Sequence, residues 1–122
     1  MTLVVDAANV VGSRPTGWWR DRPGAARSLV DRVRAATRAG RLAEPVVMVL
    51  EGAARGGVAA GTSDGVTVVH APGSGDETLI DVVEDVDDPV TMVSADRALR
   101  ERAEACGAEV VGPRWLLELL DD

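Results

Sequence analysis

The sequence predicts a three-layer α/β fold with a mainly parallel sheet of about five strands. Short apolar runs alternate with stretches of helical periodicity along the chain, which is typical of βαβ units. The runs are continuously apolar, as expected for parallel strands that are covered on both faces. With 122 residues and no internal repeat, the chain is predicted to form a single domain over residues 1–122.

The predicted strands are short aliphatic and β-branched runs bounded by turn residues. Pro45 precedes the second run, and Asp87-Asp88-Pro89 precedes the fourth. The five runs are Thr2–Val5, Val46–Leu50, Val66–Val69, Val90–Val93 and Glu109–Val111.

The predicted helices carry apolar residues three or four positions apart. Pro23 suits the start of the first helix, and Gly40 suits its end. The four helical stretches are Pro23–Arg38, Asp76–Asp85, Arg97–Ala105 and Pro113–Leu120. Two glycine-containing segments, Gly12–Gly24 and Gly52–Gly65, are predicted to be loops, and we expect the second to be mobile.

The composition narrows the classes of function. The formal net charge is −7, from 20 acidic residues against 13 arginines. This argues against tight sequence-independent binding of nucleic acid, which needs a surplus of basic groups. It leaves room for an enzyme that holds a phosphodiester through metal ions.

The chain is predicted to have no membrane segment and to be cytoplasmic. No apolar run approaches the roughly 18 residues that a membrane span needs. The single cysteine, Cys106, fits a reducing compartment, and the residues after Met1 do not resemble a signal peptide. The sequence does not decide between a monomer and a homodimer.

Acidic residues stand at the ends of the predicted strands. Asp6, Glu51 and Asp96 close or directly follow three strands, and Asp76 lies a few residues beyond another. The carboxyl ends of parallel strands meet at one edge of the sheet, where ligands bind, so we expect these side chains to converge. Converging carboxylates repel one another and attract a cation, and an oxygen-only set of ligands favours Mg²⁺ or Mn²⁺.

Each acid also has a structural interpretation. Asp76 and Asp96 stand at predicted helix starts, where aspartate is a favoured N-cap. Glu51 could be an ordinary solvated residue at a strand end. Asp6 follows a buried strand with no predicted helix immediately beside it, which favours a functional role. The recurrence of acids at one edge favours a binding site.

Four segments resemble a known family. Leu3–Val10 (LVVDAANV) is similar to the opening "DxxN" strand of NYN domains in the PIN-like nuclease superfamily. Gly75–Asp81 resembles the central acidic helix start of that family, and Val93–Arg97 resembles its "[TS]-x-D-R" strand end. Gly107–Pro113 is similar to the last strand and turn of the YacP-like branch, in which an aspartate usually stands where this chain has Glu51.

The resemblance implies a PIN-like, Rossmann-like fold and a metal-dependent ribonuclease in which metal-activated water hydrolyses the phosphodiester. Asn9 would then orient the site or contact a phosphate, and Ser94 would add a hydroxyl near the metal. The implied ligands of Mg²⁺ or Mn²⁺ are Asp6, Asp76 and Asp96, with Glu51 and Asp81 as further candidates. The alternative is a non-catalytic PIN-like module that binds RNA or a protein partner, and the net charge of −7 favours it.

An aromatic and basic segment follows the first motif. Because the chain has no Phe or Tyr, either Trp18 or Trp19 is expected to fill the core, while the other could stack on a base. His70, the only histidine, is expected to be structural, because no serine or cysteine partner forms a triad with it. The residues predicted to contact substrate are Arg14, Arg20, Arg22 and Arg97. For Arg97, a pair with a neighbouring carboxylate is an equal alternative.

Overall fold

A computed structural model, which describes residues 1–121, shows a six-stranded sheet with helices on both faces. Neighbouring strands are parallel except for β3, which is antiparallel to β4. The strands are β1 (Thr2–Asp6), β2 (Val46–Leu50), β3 (Gly61–Ser63), β4 (Val66–His70), β5 (Val90–Val93) and β6 (Glu109–Val111). Their order in the sheet is β3-β4-β2-β1-β5-β6. The predicted α/β class with a mainly parallel sheet is confirmed.

Five helices and two 3₁₀ turns connect these strands. The helices are α1 (Ala7–Gly12), α2 (Arg22–Arg38), α3 (Gly75–Asp85), α4 (Arg97–Ala105) and α5 (Pro113–Leu120). The 3₁₀ turns are Trp18–Arg20 and Gly52–Gly57. Within residues 1–121, no helix is long and apolar enough to cross a membrane.

Two aliphatic layers cover the sheet. Alternate residues of β1 face opposite layers, with Leu3 and Val5 on one side and Val4 on the other. Helices α1, α2 and α5 pack with Leu3 and Val5, and helices α3 and α4 pack with Val4. The prediction that Trp18 or Trp19 fills the core is wrong, since Trp18 is only half-buried and Trp19 is 53% exposed. Valine, leucine and methionine side chains fill the space instead.

The segment predicted to be a mobile loop, Gly52–Gly65, instead contains a 3₁₀ turn and strand β3. Strand β3 has three exposed residues and no apolar pattern, which is why periodicity missed it. Asp64 and Gly65 both have positive φ, at 54° and 75°, and form the two-residue turn between β3 and β4. Asp-Gly is a typical hairpin turn, so the sequence did contain a signal for this sixth strand.

The strand order reverses beside β1. The chain moves from β1 to β2 and β4 on one side, then returns to place β5 on the other side. Val5 is in register with Val93, so the residues that follow them, Asp6 and Ser94, lie side by side at the carboxyl edge. Such a reversal opens a crevice at the carboxyl ends of the strands, and ligands bind there in open α/β sheets.

Candidate active site

Asp6 lies at the centre of this crevice and is only 8% exposed. Its Oδ2 accepts a hydrogen bond from the Ser94 hydroxyl at 3.0 Å, and its Oδ1 accepts one from the Asn9 backbone N–H at 3.3 Å. Asp6 is therefore the N-cap of α1, and the expectation that no helix begins beside it is wrong. Helix α1 has only six residues, too few to show an amphipathic repeat in the sequence.

Ser94 connects the Asp6 carboxylate to the start of α4. Ser94 is fully buried, and its Oγ accepts a hydrogen bond from the Asp96 backbone N–H at 3.1 Å. Asp96 Oδ1 in turn accepts from the Leu99 backbone N–H at 3.0 Å, so Asp96 caps α4 as its structural interpretation predicts. The Asp96 side chain is exposed at the edge of the sheet, where a ligand can reach it.

Asn9 joins the loops that follow β1 and β5. Its Oδ1 accepts a hydrogen bond from the Ala95 backbone N–H at 2.7 Å. This bond holds the Ser94–Asp96 segment against α1, and it leaves the two N–H groups of the amide as donors. The structure therefore brings Asn9 and Ser94 to the same place as Asp6, in agreement with their predicted proximity.

Asp76 lies in the first turn of α3, but it is not the cap. Ser74 is the N-cap, and its Oγ accepts from the Asp76 backbone N–H at 3.3 Å. Glu51 Oε2 accepts from the Gly75 backbone N–H at 2.6 Å, which anchors the start of α3 to the end of β2. The N-cap interpretation of Asp76 is wrong, and its carboxylate is exposed beside the crevice.

Burial and mutual repulsion raise the pKa of two of these acids. For Asp6, burial is the main cause, with smaller contributions from the carboxylates of Glu51 and Asp76, while the bonds from Ser94 and Asn9 partly lower the pKa. For Asp76, partial burial is again first, followed by repulsion from Asp96 and Glu51. We call Asp6, Glu51, Asp76 and Asp96 the acidic cluster, because the charges of the last three contribute to the raised pKa of Asp6 or of Asp76.

The chemical character of the acidic cluster suits a divalent cation. All of its donors are carboxylate oxygens, and a cation would relieve their repulsion. Within residues 1–121, no three carboxylate, imidazole or thiol groups already lie close enough to hold one ion together. Mg²⁺ is usually held by one or two carboxylates and keeps several waters, so a shared ion does not need three direct protein ligands.

Asp81 stands apart from the acidic cluster. It lies five residues after Asp76 on α3, a rotation of about 140° around the helix. Its side chain is exposed, and it does not contribute to the raised pKa of Asp6 or Asp76. The structure therefore does not bring this predicted residue to the site.

Arg102 is a neighbour of the acidic cluster that sequence reasoning missed. Its two terminal nitrogens bind the two carboxylate oxygens of Glu77 at 2.9 and 3.1 Å, which links α4 to α3. The positive charge of Arg102 also lowers the pKa of Asp76 and so offsets part of its increase. Nothing in the sequence marks this pair, because its two residues lie 25 positions apart on different helices.

The predicted substrate-binding arginines have different surroundings. Arg14 pairs with Asp121 at 3.1 Å and lines a groove together with Ala95 and Arg114. Sequence reasoning missed Arg114. Arg20 lies over the Trp19 ring, with 5.8 Å from guanidinium carbon to ring centroid. Arg97 is the exposed first residue of α4, directly after Asp96.

A cavity of about 450 Å³ opens beside the acidic cluster. Glu51 belongs to its lining, together with small apolar side chains of α1 and α2. Trp18 also lines it, and the guanidinium of Arg22 lies 5.4 Å from the Trp18 ring centroid. We call this space the Trp18 cavity.

His70 does not line the Trp18 cavity. Its Nε2 lies 2.7 Å from the Val58 carbonyl oxygen, a contact that fits the expected structural role.

Comparison with known proteins supports the fold. No protein-family model matches this chain, and no curated protein matches it. Among solved structures, the crystal structure of Rae1 (YacP) from Bacillus subtilis is similar, with a TM-score of 0.74, 18% identity and coverage of 99% of this chain and 74% of that chain. The W164L mutant of the same protein gives the same TM-score and coverage at 16% identity. The chain therefore shares the fold of Rae1 (YacP).

Proposed function

We propose that this protein is a metal-dependent ribonuclease whose active site is the acidic cluster. The observation that carries the proposal is the convergence of four carboxylates on one crevice, where burial and repulsion raise the pKa of Asp6 and Asp76. A fold gains no stability from such repulsion, so a cationic ligand is the simplest reason for the arrangement.

Mg²⁺ or Mn²⁺ is the proposed cofactor, and Asp6, Asp76 and Asp96 are the proposed ligands. When bound, the ion would lower the pKa of a water molecule and polarise the phosphate. Asp6 is held in place by two hydrogen bonds and Asp96 by one from the Leu99 N–H, whereas the exposed carboxylate of Asp76 can adjust its rotamer. Two preorganised ligands and one adjustable ligand suit an ion that retains waters.

Other residues would position these ligands or the substrate. Ser94 orients Asp6, and Glu51 fixes the start of α3 on which Asp76 stands. Asn9 holds the loop before Asp96 and keeps donors for a phosphate oxygen. Arg97 offers a cation next to the cluster at the first position of α4.

RNA is proposed as the substrate on two grounds. The motifs around Asp6, Asp76 and Asp96 resemble those of NYN domains, and the structural similarity to Rae1 (YacP) agrees with the branch that the C-terminal motif resembles. Arg97, exposed directly after Asp96, also places a positive charge at the crevice despite the overall charge of −7.

The first test measures metal binding through stability. We expect Mn²⁺ to raise the melting temperature. At 100 times its Kd, the ion should add about 2.7 kcal/mol to the free energy of unfolding. Asp6→Asn and Asp96→Asn should remove most of this shift. Asp81→Asn is the matched control, because Asp81 is exposed on α3 away from the cluster, and it should keep the full shift. A normal shift in both cluster variants would refute the metal site.

The second test separates an enzyme from a binding module. The purified protein should cleave single-stranded RNA with Mn²⁺, and Asp76→Asn should abolish cleavage while Asp81→Asn does not. Intact RNA after long incubation, with metal binding demonstrated by the thermal shift, would favour a non-catalytic module that binds RNA or a protein partner.

A further inference from the structure

The Trp18 cavity lies directly beside the acidic cluster and is the right size for a small organic group. Its volume of about 450 Å³ is within the usual range of ligand sites. Glu51 connects the two places, since it belongs to the acidic cluster, anchors the start of α3 and also lines the cavity. A strand bound at the cluster would therefore pass the mouth of this cavity.

The lining combines flat apolar surface with two opposite charges. Ala8, Val11 and Ala26 contribute apolar contacts, and Trp18 contributes an aromatic ring. A nucleobase suits such walls, because every base can stack on an aromatic side chain. Within the part of the chain that the structure describes, Arg22 has no ion pair, so its guanidinium beside Trp18 is available to a phosphate.

Glu51 supplies the feature that distinguishes one base from another. Its Oε2 accepts from the Gly75 backbone N–H, while its Oε1 has no hydrogen-bond partner among residues 1–121. A carboxylate accepts hydrogen bonds only, so it favours an edge with adjacent donors. Guanine presents N1–H and the 2-amino group side by side, whereas adenine, cytosine and uracil place an acceptor next to their donor.

We propose that the Trp18 cavity binds a guanine base of the RNA strand, with Trp18 stacking on the base, Glu51 accepting from its N1–H and 2-amino groups, and Arg22 facing a phosphate. This proposal rests on the proposed function, because it takes the ligand to be part of an RNA substrate. A purely apolar ligand would bury the Oε1 of Glu51 without a hydrogen bond, and an acidic ligand without donors would be repelled by the carboxylate.

The test uses GMP as the probe and a buffer with EDTA, so that it depends on neither metal nor cleavage. The chain has three tryptophans, and each gives one indole N–H signal in a ¹H–¹⁵N NMR spectrum. Titration with GMP should shift the signal that is missing in Trp18→Leu and leave the Trp115 signal in place. IMP differs from GMP only by the 2-amino group and should bind about tenfold more weakly, as expected for one lost hydrogen bond to a charged group.

Two variants check the assignment. Glu51→Gln keeps an acceptor for Gly75 but loses the second carboxylate oxygen, so the preference for GMP over IMP should shrink to within about twofold. Trp115→Leu is the matched control for Trp18→Leu, because Trp115 is 39% exposed on α5 and does not line the cavity. If Trp18→Leu does not fold, the Trp18 signal is assigned by backbone-based NMR methods in the wild-type protein, and Glu51→Gln remains informative.

The outcomes separate this proposal from the proposed function. Asp76→Asn should lose the Mn²⁺-dependent thermal shift yet still bind GMP, because Asp76 does not line the cavity. GMP binding without cleavage would support the cavity and count against the enzyme. Cleavage without any GMP-induced shift at Trp18, or equal shifts with GMP and UMP, would overturn the guanine site and leave the nuclease intact.

Discussion

Ser94 donates a hydrogen bond to Asp6 across the ends of β5 and β1, at 3.0 Å between the hydroxyl and Oδ2. The Ser94 Oγ also accepts a hydrogen bond from the Asp96 backbone N–H at 3.1 Å. One fully buried hydroxyl thus fixes the orientation of one acid and the backbone position of another.

We expect Ser94→Ala to destabilise the protein by about 1–3 kcal/mol, the usual effect of leaving a buried polar group without its partner. The pKa of Asp6 should rise further, because the Ser94 hydrogen bond lowers it. Urea unfolding at pH 7 measures the loss. Ser13→Ala is the control, since the hydroxyl of exposed Ser13 donates to the Val10 carbonyl oxygen, and it should cost less than about 0.5 kcal/mol. Equal losses in the two variants would contradict the role given to Ser94.

Without metal, the charge of Asp76 should weaken the fold at neutral pH. Its pKa is raised from 3.8, so the folded state holds the proton more tightly than the unfolded chain does. Protonation of Asp76 therefore favours the folded state. This stabilisation is complete below the ordinary pKa and is lost as the pH rises through the raised pKa. In EDTA, Asp76→Asn should therefore melt higher than wild type at pH 7, with a smaller difference at pH 3.5. Thermal melts across this range, with Asp81→Asn as control, test it; a variant that melts lower at pH 7 would contradict the sign.

Gly57 should not tolerate a side chain. A Cβ at this position would lie 2.0 Å from the Pro23 carbonyl oxygen. Relieving this clash would require a shift of the α2 backbone, which costs free energy. We expect Gly57→Ala to destabilise the protein by about 1–3 kcal/mol or more through overpacking between the 3₁₀ turn and α2. The neighbouring Gly56→Ala is the control, because its nearest atom would be Pro23 Cγ at 3.9 Å. Urea midpoints of the two variants should differ clearly, and similar midpoints would show that the turn does not pack as described.

Arg102 should tune metal binding through Asp76. Its charge acts against the raised pKa of Asp76, so Arg102→Gln should raise that pKa further. The lost positive charge would also no longer repel Mn²⁺, so Mn²⁺ affinity should rise at pH 8. A ligand must lose its proton to bind metal, so this gain should be smaller at pH 6 than at pH 8. Calorimetric titration at both pH values measures the difference. Arg100→Gln, on the same helix, should show no such pH dependence; the same pH dependence in both variants would rule out a specific effect of Arg102.

The sequence by itself determined the fold class and most of its elements. Continuous valine-rich runs and amphipathic stripes predict five of the six strands and four of the five helices. A strand covered on both faces is apolar throughout, and a helix buried on one face has apolar residues three or four positions apart. It also placed Asp6, Glu51 and Asp96 at strand ends, from which topology predicts convergence on one edge. The short helix α1 and strand β3 were missed, since neither is long enough to show a period.

Only the tertiary structure decided what each acid does. Asp6 and Asp96 cap helices, whereas Ser74 takes that role at α3 and leaves Asp76 free. The partnerships of Ser94 with Asp6 and of Glu51 with Gly75 span 88 and 24 residues, and no local pattern encodes them. The first exists because β1 lies beside β5, and the second because β2 lies beside β4, the strand that leads into α3. Side-chain hydrogen bonds and repulsion depend on distance in space rather than on separation in the chain.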